Sequence, residues 1–152
     1  MFDASVYAKR RQLLRENVGS GIILLLGNGE TPMNYAANPY HFRQDSSFLY
    51  FFGQDKPGFA GILDIDEGKD YFYGEDFTID DIIWMGPQPT VKELAKEVGV
   101  DNPGSHGDMA AAIKNAVAKG RKIHFLPPYR AENKLTLEAL LGISASRVKE
   151  YA

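Results

Sequence analysis

Histidine side chains are the first candidates for chemistry in this sequence, because imidazole serves both as a metal ligand and as a general base. The three histidines are His41, His106 and His124. No two of them have the i, i+4 spacing that places metal ligands on one helix face, and none lies in a close cluster with carboxylates. We therefore predict ordinary hydrogen bonds for all three and no catalytic metal in this chain. His124 alternates with apolar residues in a predicted strand, so we expect it to be partly buried.

The sequence also lacks the usual patterns for nucleophilic catalysis and phosphate binding. It has no cysteine and no serine on a G-x-S-x-G turn. Gly27-Asn28-Gly29 follows an apolar run, but neither phosphate-loop spacing is present, and Pro32 interrupts the stretch where a helix would have to begin. This favours a turn over a nucleotide site. Asp64, Asp66 and Glu67 cluster at a predicted strand-to-turn junction, where we interpret them as loop solvation rather than an acid/base pair.

Composition narrows the remaining classes of function. The chain has 152 residues and a net charge of −3, and 44% of its residues are hydrophobic, which fits one folded domain over residues 1–152. The densest basic run, Lys9-Arg10-Arg11, is expected on the solvated face of a first helix, so we predict no nucleic-acid binding. The longest apolar run, residues 22–26, is too short to span a bilayer. No secretory signal pattern is present, so we expect no membrane association and a cytoplasmic location.

Periodicity and capping signals define the elements that would position any site. Predicted helices span residues 5–17, 79–85, 91–98, 110–119 and 135–141, and predicted strands span residues 21–26, 47–53, 59–65, 70–74 and 122–126. The strands over 47–53, 59–65 and 70–74 are expected to form an antiparallel meander. Residues 27–44 are predicted to be a long loop, which in a compact domain is usually functional. This order predicts an α/β fold, a mixed sheet with helices on its faces.

Two segments stand out from this background. One runs from the long loop into the aromatic stretch and contains Arg43 and Asp45, which we predict to be largely inaccessible to solvent and to pair with each other or with neighbouring loop backbone. Such a motif more often organises a fold or an interface than performs catalysis. The other contains Trp84, the only tryptophan. Trp84 is either a core residue at a helix end or an exposed aromatic that fills a partner's pocket.

The residues of the first segment resemble a known family. The run His41-Phe42-Arg43-Gln44-Asp45-Ser46-Ser47-Phe48-Leu49-Tyr50-Phe51-Phe52-Gly53 is similar to the H-[YF]-x-F-R-Q-D-S-x-F-x-Y-L-T-G-F signature of the amino-terminal domain of Xaa-Pro aminopeptidases (aminopeptidase P). The residues that carry this structural motif are Arg43, Gln44, Asp45, Ser46, Phe48, Tyr50 and Gly53. Residues 7–13, 58–63 and 83–86 resemble further elements of the same domain in the same order.

The resemblance implies a non-catalytic domain with a ribonuclease-H-like mixed sheet, related to the amino-terminal domains of creatinase and prolidase. It implies partners: the chain's own carboxy-terminal "pita-bread" metallopeptidase domain, absent from these residues, neighbouring subunits of a homo-oligomer, and a peptide substrate. That second domain would bind two divalent metals, commonly manganese, and remove an amino-terminal residue when proline is second. The resemblance also offers Trp84 a place in the substrate pocket of a neighbouring subunit.

Three functions remain open on the sequence. The first is an assembly and substrate-gating domain of such an enzyme, inactive alone. The second is a stand-alone module of the same ancestry that binds a peptide or small ligand. The third is a complete small hydrolase, which would need titratable groups converging in a pocket.

Overall fold

The computed structural model describes residues 2–28, 44–76, 83, 86, 89–126, 137 and 141. Its helices are α1 (Ala4–Val18), α2 (Ser46–Phe52), α3 (Val91–Glu97) and α4 (His106–Ala118), and its strands are β1 (Ile22–Leu26), β2 (Ala60–Asp64), β3 (Lys69–Tyr73), β4 (Asn102–Gly104) and β5 (Ile123–His124). Most of the predicted loop over 27–44 and of the predicted helices over 79–85 and 135–141 lies outside the described residues.

The strands form one mixed sheet in the order β4-β3-β2-β1-β5. β2 pairs antiparallel with both β1 and β3, whereas the edge strands β4 and β5 run parallel to their neighbours. The predicted mixed sheet is therefore confirmed. The predicted meander is wrong in one member, because β1 pairs with β2 in place of residues 47–53. β4 was not predicted: its Asn-Pro-Gly sequence is typical of a turn, and proline is tolerated there because the strand lies at the sheet edge.

Alternate residues of the central strands point to two separate cores, one on each face of the sheet. Ile23 and Leu25 of β1 pack on one face with the side chains of α1, α2 and α3. Ile22 and Leu24 pack on the other face with α4 and with Leu137. Successive side chains of a strand point to opposite faces, so an unbroken apolar run gives both faces of the sheet an apolar surface. Helices cover both faces, as predicted.

The first helix has nearly the predicted span, and the apolar stripe that its sequence predicts (Val6, Leu13 and Leu14, with Tyr7 and Arg10 beside them) faces the core only in part. Tyr7 is buried and Leu14 packs against the core, whereas Leu13 is 50% exposed. The expectation that Lys9-Arg10-Arg11 lies on a solvated face fails for Arg11, which is fully buried. An arginine can occupy that position because three acceptors surround it, as described below.

Helix α4 begins earlier than predicted. It starts at His106 rather than at residue 110, because Ser105 and Asp108 form a reciprocal capping box. Among the residues that the structure describes, no helix is long and apolar enough to cross a membrane.

Candidate functional site

Ser46–Phe52 of the signature run form helix α2, so the predicted strand over 47–53 is wrong. Asp45 caps the helix, its Oδ1 accepting a hydrogen bond from the Phe48 amide at 2.9 Å. Gly53 ends it in the left-handed conformation, with φ of +67°. A short run of consecutive apolar residues fits helix and strand equally well. The aspartate before the run and the glycine after it were the signals that could have distinguished the two.

Gln44 joins the segment to both neighbouring loops. Its side chain is buried and makes four hydrogen bonds. Oε1 accepts from the amides of Asn28 at 2.8 Å and Asp45 at 3.0 Å. Nε2 donates to the carbonyls of Gln54 and Lys56, both at 2.9 Å. One amide side chain therefore ties the end of β1 to both ends of α2, and all its hydrogen-bonding capacity is used.

Helix α2 divides the signature aromatics between core and surface. Phe48 and Phe52, four residues apart, are fully buried and stack with ring centroids 5.3 Å apart. Leu49 and Tyr50 face outward and are 39% and 51% exposed. Ser46 is also exposed, at the start of the helix. The signature thus fixes one face of the helix in the core and presents the other to solvent.

Gly53 is required by close packing as well as by its backbone conformation. A Cβ at this position would lie 2.4 Å from the ring of Tyr7, closer than any real contact. The missing side chain lets α1 approach the end of α2. Tyr7 is buried there, and its hydroxyl accepts a hydrogen bond from the amide of Phe2 at 3.2 Å.

A cleft of about 680 Å³ opens beside this contact, between the first half of α1 and the outer side of α2. Its lining includes Phe2, Arg10, Ser46, Leu49 and Tyr50. More of the lining surface is apolar than polar, and its charged side chains are Arg10, Asp55 and Lys56. This is the place where the described part of the signature is accessible to another molecule.

Behind the cleft, a buried charge network holds α1 to the sheet. The Arg11 guanidinium donates from Nε to Asp70 Oδ2 at 2.8 Å, from Nη1 to the Phe51 carbonyl at 2.9 Å and from Nη2 to the Val98 carbonyl at 2.7 Å. Arg15 contacts the second oxygen of Asp70. Burial lowers the pKa of Arg11, an effect that pairing with Asp70 partly offsets. The network connects α1, α2, β3 and the end of α3, so its role is structural.

The acidic cluster at the end of β2 is also structural. Arg121 Nη2 bridges Asp64 Oδ1 at 2.7 Å and Asp66 Oδ2 at 2.9 Å, and pairing with Asp64 raises the pKa of Arg121. The interpretation of this cluster as loop solvation is wrong for Asp64, which is buried and also accepts from the Glu67 amide at 3.1 Å. The fold brings Arg121 to the cluster from 57 residues away, which no local pattern indicates.

The described histidines are not brought together. His124 is partly buried, as predicted, and its Nε2 lies 2.9 Å from the Ser20 carbonyl. The backbone amide of His106 donates to Glu75 Oε1 at 2.9 Å. Among the residues that the structure describes, no three histidine, cysteine, aspartate or glutamate side chains form a group able to hold a metal ion. The family resemblance assigns its metal pair to the second domain, not to these residues.

Three predicted site residues lie outside the described residues: His41, Arg43 and Trp84. The pairing of Arg43 with Asp45 and the orientation of Trp84 therefore stay predictions. The Asp45 side chain is partly buried, and its Oδ1 accepts from the backbone amide of Phe48. Ile83, which directly precedes Trp84, is 71% exposed.

Comparison with known sequences identifies relatives of this chain. Residues 7–124 match the family model described as aminopeptidase P, N-terminal domain. A probable Xaa-Pro aminopeptidase of Aspergillus niger is 30% identical over 110 residues, which are 72% of this chain and 22% of that protein. The human Xaa-Pro dipeptidase is 30% identical over 105 residues, which are 64% of this chain and 21% of that protein. The chain thus spans about a fifth of the length of these relatives.

Comparison with solved structures finds the same fold. Zinc-substituted Escherichia coli aminopeptidase P in complex with product superposes with a TM-score of 0.77 at 20% sequence identity, over 93% of this chain and 33% of that one. The family match includes most of α1, all of α2 and the five described strands, and it contains the signature segment. The chain therefore belongs to the aminopeptidase P N-terminal domain family.

Proposed function

We propose that this chain is the non-catalytic amino-terminal domain of a cytoplasmic Xaa-Pro aminopeptidase. Residues 1–152 would form that one domain, and a pita-bread metallopeptidase domain would follow it in the natural protein. The observation that carries the proposal is the family match over residues 7–124, which covers every described strand of the sheet. The share of the relatives that the chain spans, about a fifth, leaves room in them for a second domain.

The reaction belongs to that second domain in our proposal. The parent enzyme would remove the first residue from peptides with proline in second position, using two divalent metals, which we propose to be manganese. Because the described residues of this chain offer no group of metal ligands, we assign them no step of the hydrolysis. Their contribution would be to shape access to the active site and to support oligomer assembly.

Trp84 is the residue through which this domain would reach a substrate. We propose that it forms part of the proline-selective pocket of a neighbouring subunit, where a flat apolar ring would hold a pyrrolidine ring. Ile83, which was expected to face inward and so leave Trp84 free to point outward, is itself 71% exposed, so the proposal rests on the family resemblance. An exposed tryptophan forgoes a large burial free energy, so a partner surface is the physical reason for keeping it there.

The first experiment asks whether catalysis needs more than this chain. The 152-residue chain, incubated with manganese and an Xaa-Pro peptide, should release no amino acid, whereas the product of the complete coding sequence should do so. Sustained release by the 152-residue chain, abolished by a chelator, would contradict the proposal. A coding sequence that ends near residue 152 would favour a stand-alone binding module instead.

The second experiment concerns Trp84. Trp84→Ala should leave the unfolding midpoint of the 152-residue chain almost unchanged. In the complete enzyme it should lower kcat/KM for Xaa-Pro peptides while the bound metal content stays constant. A loss of about 3–5 kcal/mol in the free energy of unfolding would instead identify Trp84 as a core residue.

A further inference from the structure

The cleft beside α2 gathers apolar surface that a soluble domain would usually bury. Phe2 is 61% exposed, and Leu49 and Tyr50 are 39% and 51% exposed. All three line the same cleft. Single exposed apolar residues need no explanation, but several that converge on one concave surface are typical of a binding site.

A guanidinium is held in place at this cleft. The Arg10 Cζ lies 4.1 Å from the ring centroid of Tyr50, 5.1 Å from that of Phe2 and 5.5 Å from that of Tyr7. Arg10 Nη1 also donates to the Tyr50 carbonyl at 3.0 Å. Contact with three rings and one carbonyl fixes the guanidinium plane, which lowers the entropy lost when a ligand binds it.

Arg10 differs from the other arginines in the described ranges. Arg11 and Arg15 pair with Asp70, and Arg121 pairs with two aspartates. Within the part of the chain that the structure describes, Arg10 has no carboxylate partner at ion-pair distance. One of its five N–H donors is used by a carbonyl, and the rest of the planar fork has the geometry that binds a carboxylate through two parallel hydrogen bonds.

The charges of the cleft favour a ligand with one negative charge. Arg10, Asp55 and Lys56 are its charged lining residues. Asp55 and Lys56 are exposed and carry opposite charges, so Arg10 supplies the net charge of the site. A single carboxylate would complement that charge.

We propose that this cleft binds an amphipathic monocarboxylate, with the carboxylate on Arg10 and an apolar group against Phe2, Leu49 and Tyr50. Two sources share this chemistry: a free small organic acid, and the carboxy-terminal residue of a peptide whose side chain is apolar. The proposal does not depend on the function proposed above, because it uses only Phe2 and residues of α1, of α2 and of the loop that follows α2.

The test is a titration of the 15N-labelled 152-residue chain followed by amide chemical shifts. The probes are 3-phenylpropionate, its amide 3-phenylpropionamide, N-acetyl-glycyl-phenylalanine and the carboxamide of that peptide. Saturable shifts in residues 44–56 are expected with the acids, and binding of the matched amides should be at least about tenfold weaker. Tighter binding of the peptide acid than of 3-phenylpropionate identifies a peptide terminus as the source, and the reverse order identifies a small acid. Absence of saturation below about 20 mM for both acids, or equal affinity for acid and amide, would overturn the proposal.

A pair of variants tests the role of Arg10. Arg10→Gln should weaken binding of the acids at least about tenfold, because it removes the charged fork. Lys9→Gln is the matched control: it removes the same charge from the same helix at an exposed residue outside the cleft lining, and should change the affinity by less than about twofold. Equal weakening by both variants would show a general charge effect and reject the site. If Arg10→Gln fails to fold, the affinities of acid and amide for the unchanged chain still show whether binding requires the carboxylate.

Discussion

Removing Asp70 should be the most damaging single change to a charged side chain in the Arg11 network. The Arg11 side chain is fully buried, and Asp70 is its carboxylate partner there. Asp70→Ala would leave the guanidinium in the interior with only the Phe51 and Val98 carbonyls as acceptors. It would also leave Arg11 close to Arg15, whose positive charge already disfavours the protonated guanidinium.

The size of the stability loss in Asp70→Ala follows from the burial of Arg11. Breaking a buried ion pair by removing one partner costs about 3–5 kcal/mol, because the remaining charge stays desolvated and unpaired. A domain of this size is stable by only about 5–15 kcal/mol, so the loss is a large part of the total. With a urea m-value of about 2 kcal/mol/M, the unfolding midpoint should fall by about 1.5–2.5 M.

Urea unfolding of three variants separates the contributions. Arg15→Gln is the control. It removes the other cation from the same carboxylate, and because Asp70 then keeps its pairing with Arg11, this change should cost less than Asp70→Ala. Asp70→Asn keeps an acceptor oxygen but no charge, so its midpoint should lie between those of the other two. The lower unfolding midpoint of Asp70→Ala should persist in 1 M salt, because buried charges are screened much less than exposed ones. An Asp70→Ala midpoint equal to that of Arg15→Gln, at unchanged m-value, would refute this reasoning.

Three further predictions concern helix ends and pH. Gly120→Ala, at φ of +70° with open space around it, should lower the free energy of unfolding by about 1–2 kcal/mol. Gly53→Ala, at φ of +67°, should cost about 1–3 kcal/mol more, because the new methyl group meets the buried ring of Tyr7. Equal losses of stability for the two variants, in thermal or urea unfolding, would disprove the packing argument. Asp45→Ala should cost about 1 kcal/mol through its cap on α2, and a loss of several kcal/mol would instead reveal a second buried partner. Hydrogen bonds from Arg121 and then from a backbone amide hold the pKa of Asp66 below its ordinary value of 3.8, so its contribution is present above the unfolded pKa and disappears as pH falls through the folded pKa. Stability should therefore fall less steeply in Asp66→Asn than in the unchanged chain as pH drops below about 4, and parallel curves would contradict the assignment.

Local patterns in the sequence determined a large part of this fold. The unbroken apolar run of β1 is typical of a strand buried on both faces, and Glu67-Gly68 is typical of the turn that joins β2 to β3. Thr90 is a residue type that starts helices, and its hydroxyl accepts from the Glu93 amide at 3.1 Å at the start of α3. These features depend on residues close together in the chain, so their signals lie in short windows of sequence. The signature segment likewise identified the family without knowledge of its conformation.

Tertiary structure alone decided the features that depend on distant residues. Helix α2 has apolar residues on both its buried and its exposed sides, so tertiary structure decides which of them meet the sheet. Arg11 is buried because a carboxylate 59 residues away and two carbonyls meet it in the interior. Strand β4 exists because β3 offers a free edge to a sequence that would otherwise form a turn. In each case the free energy comes from partners that folding brings together, whereas the sequence itself specifies only which residues are able to be partners.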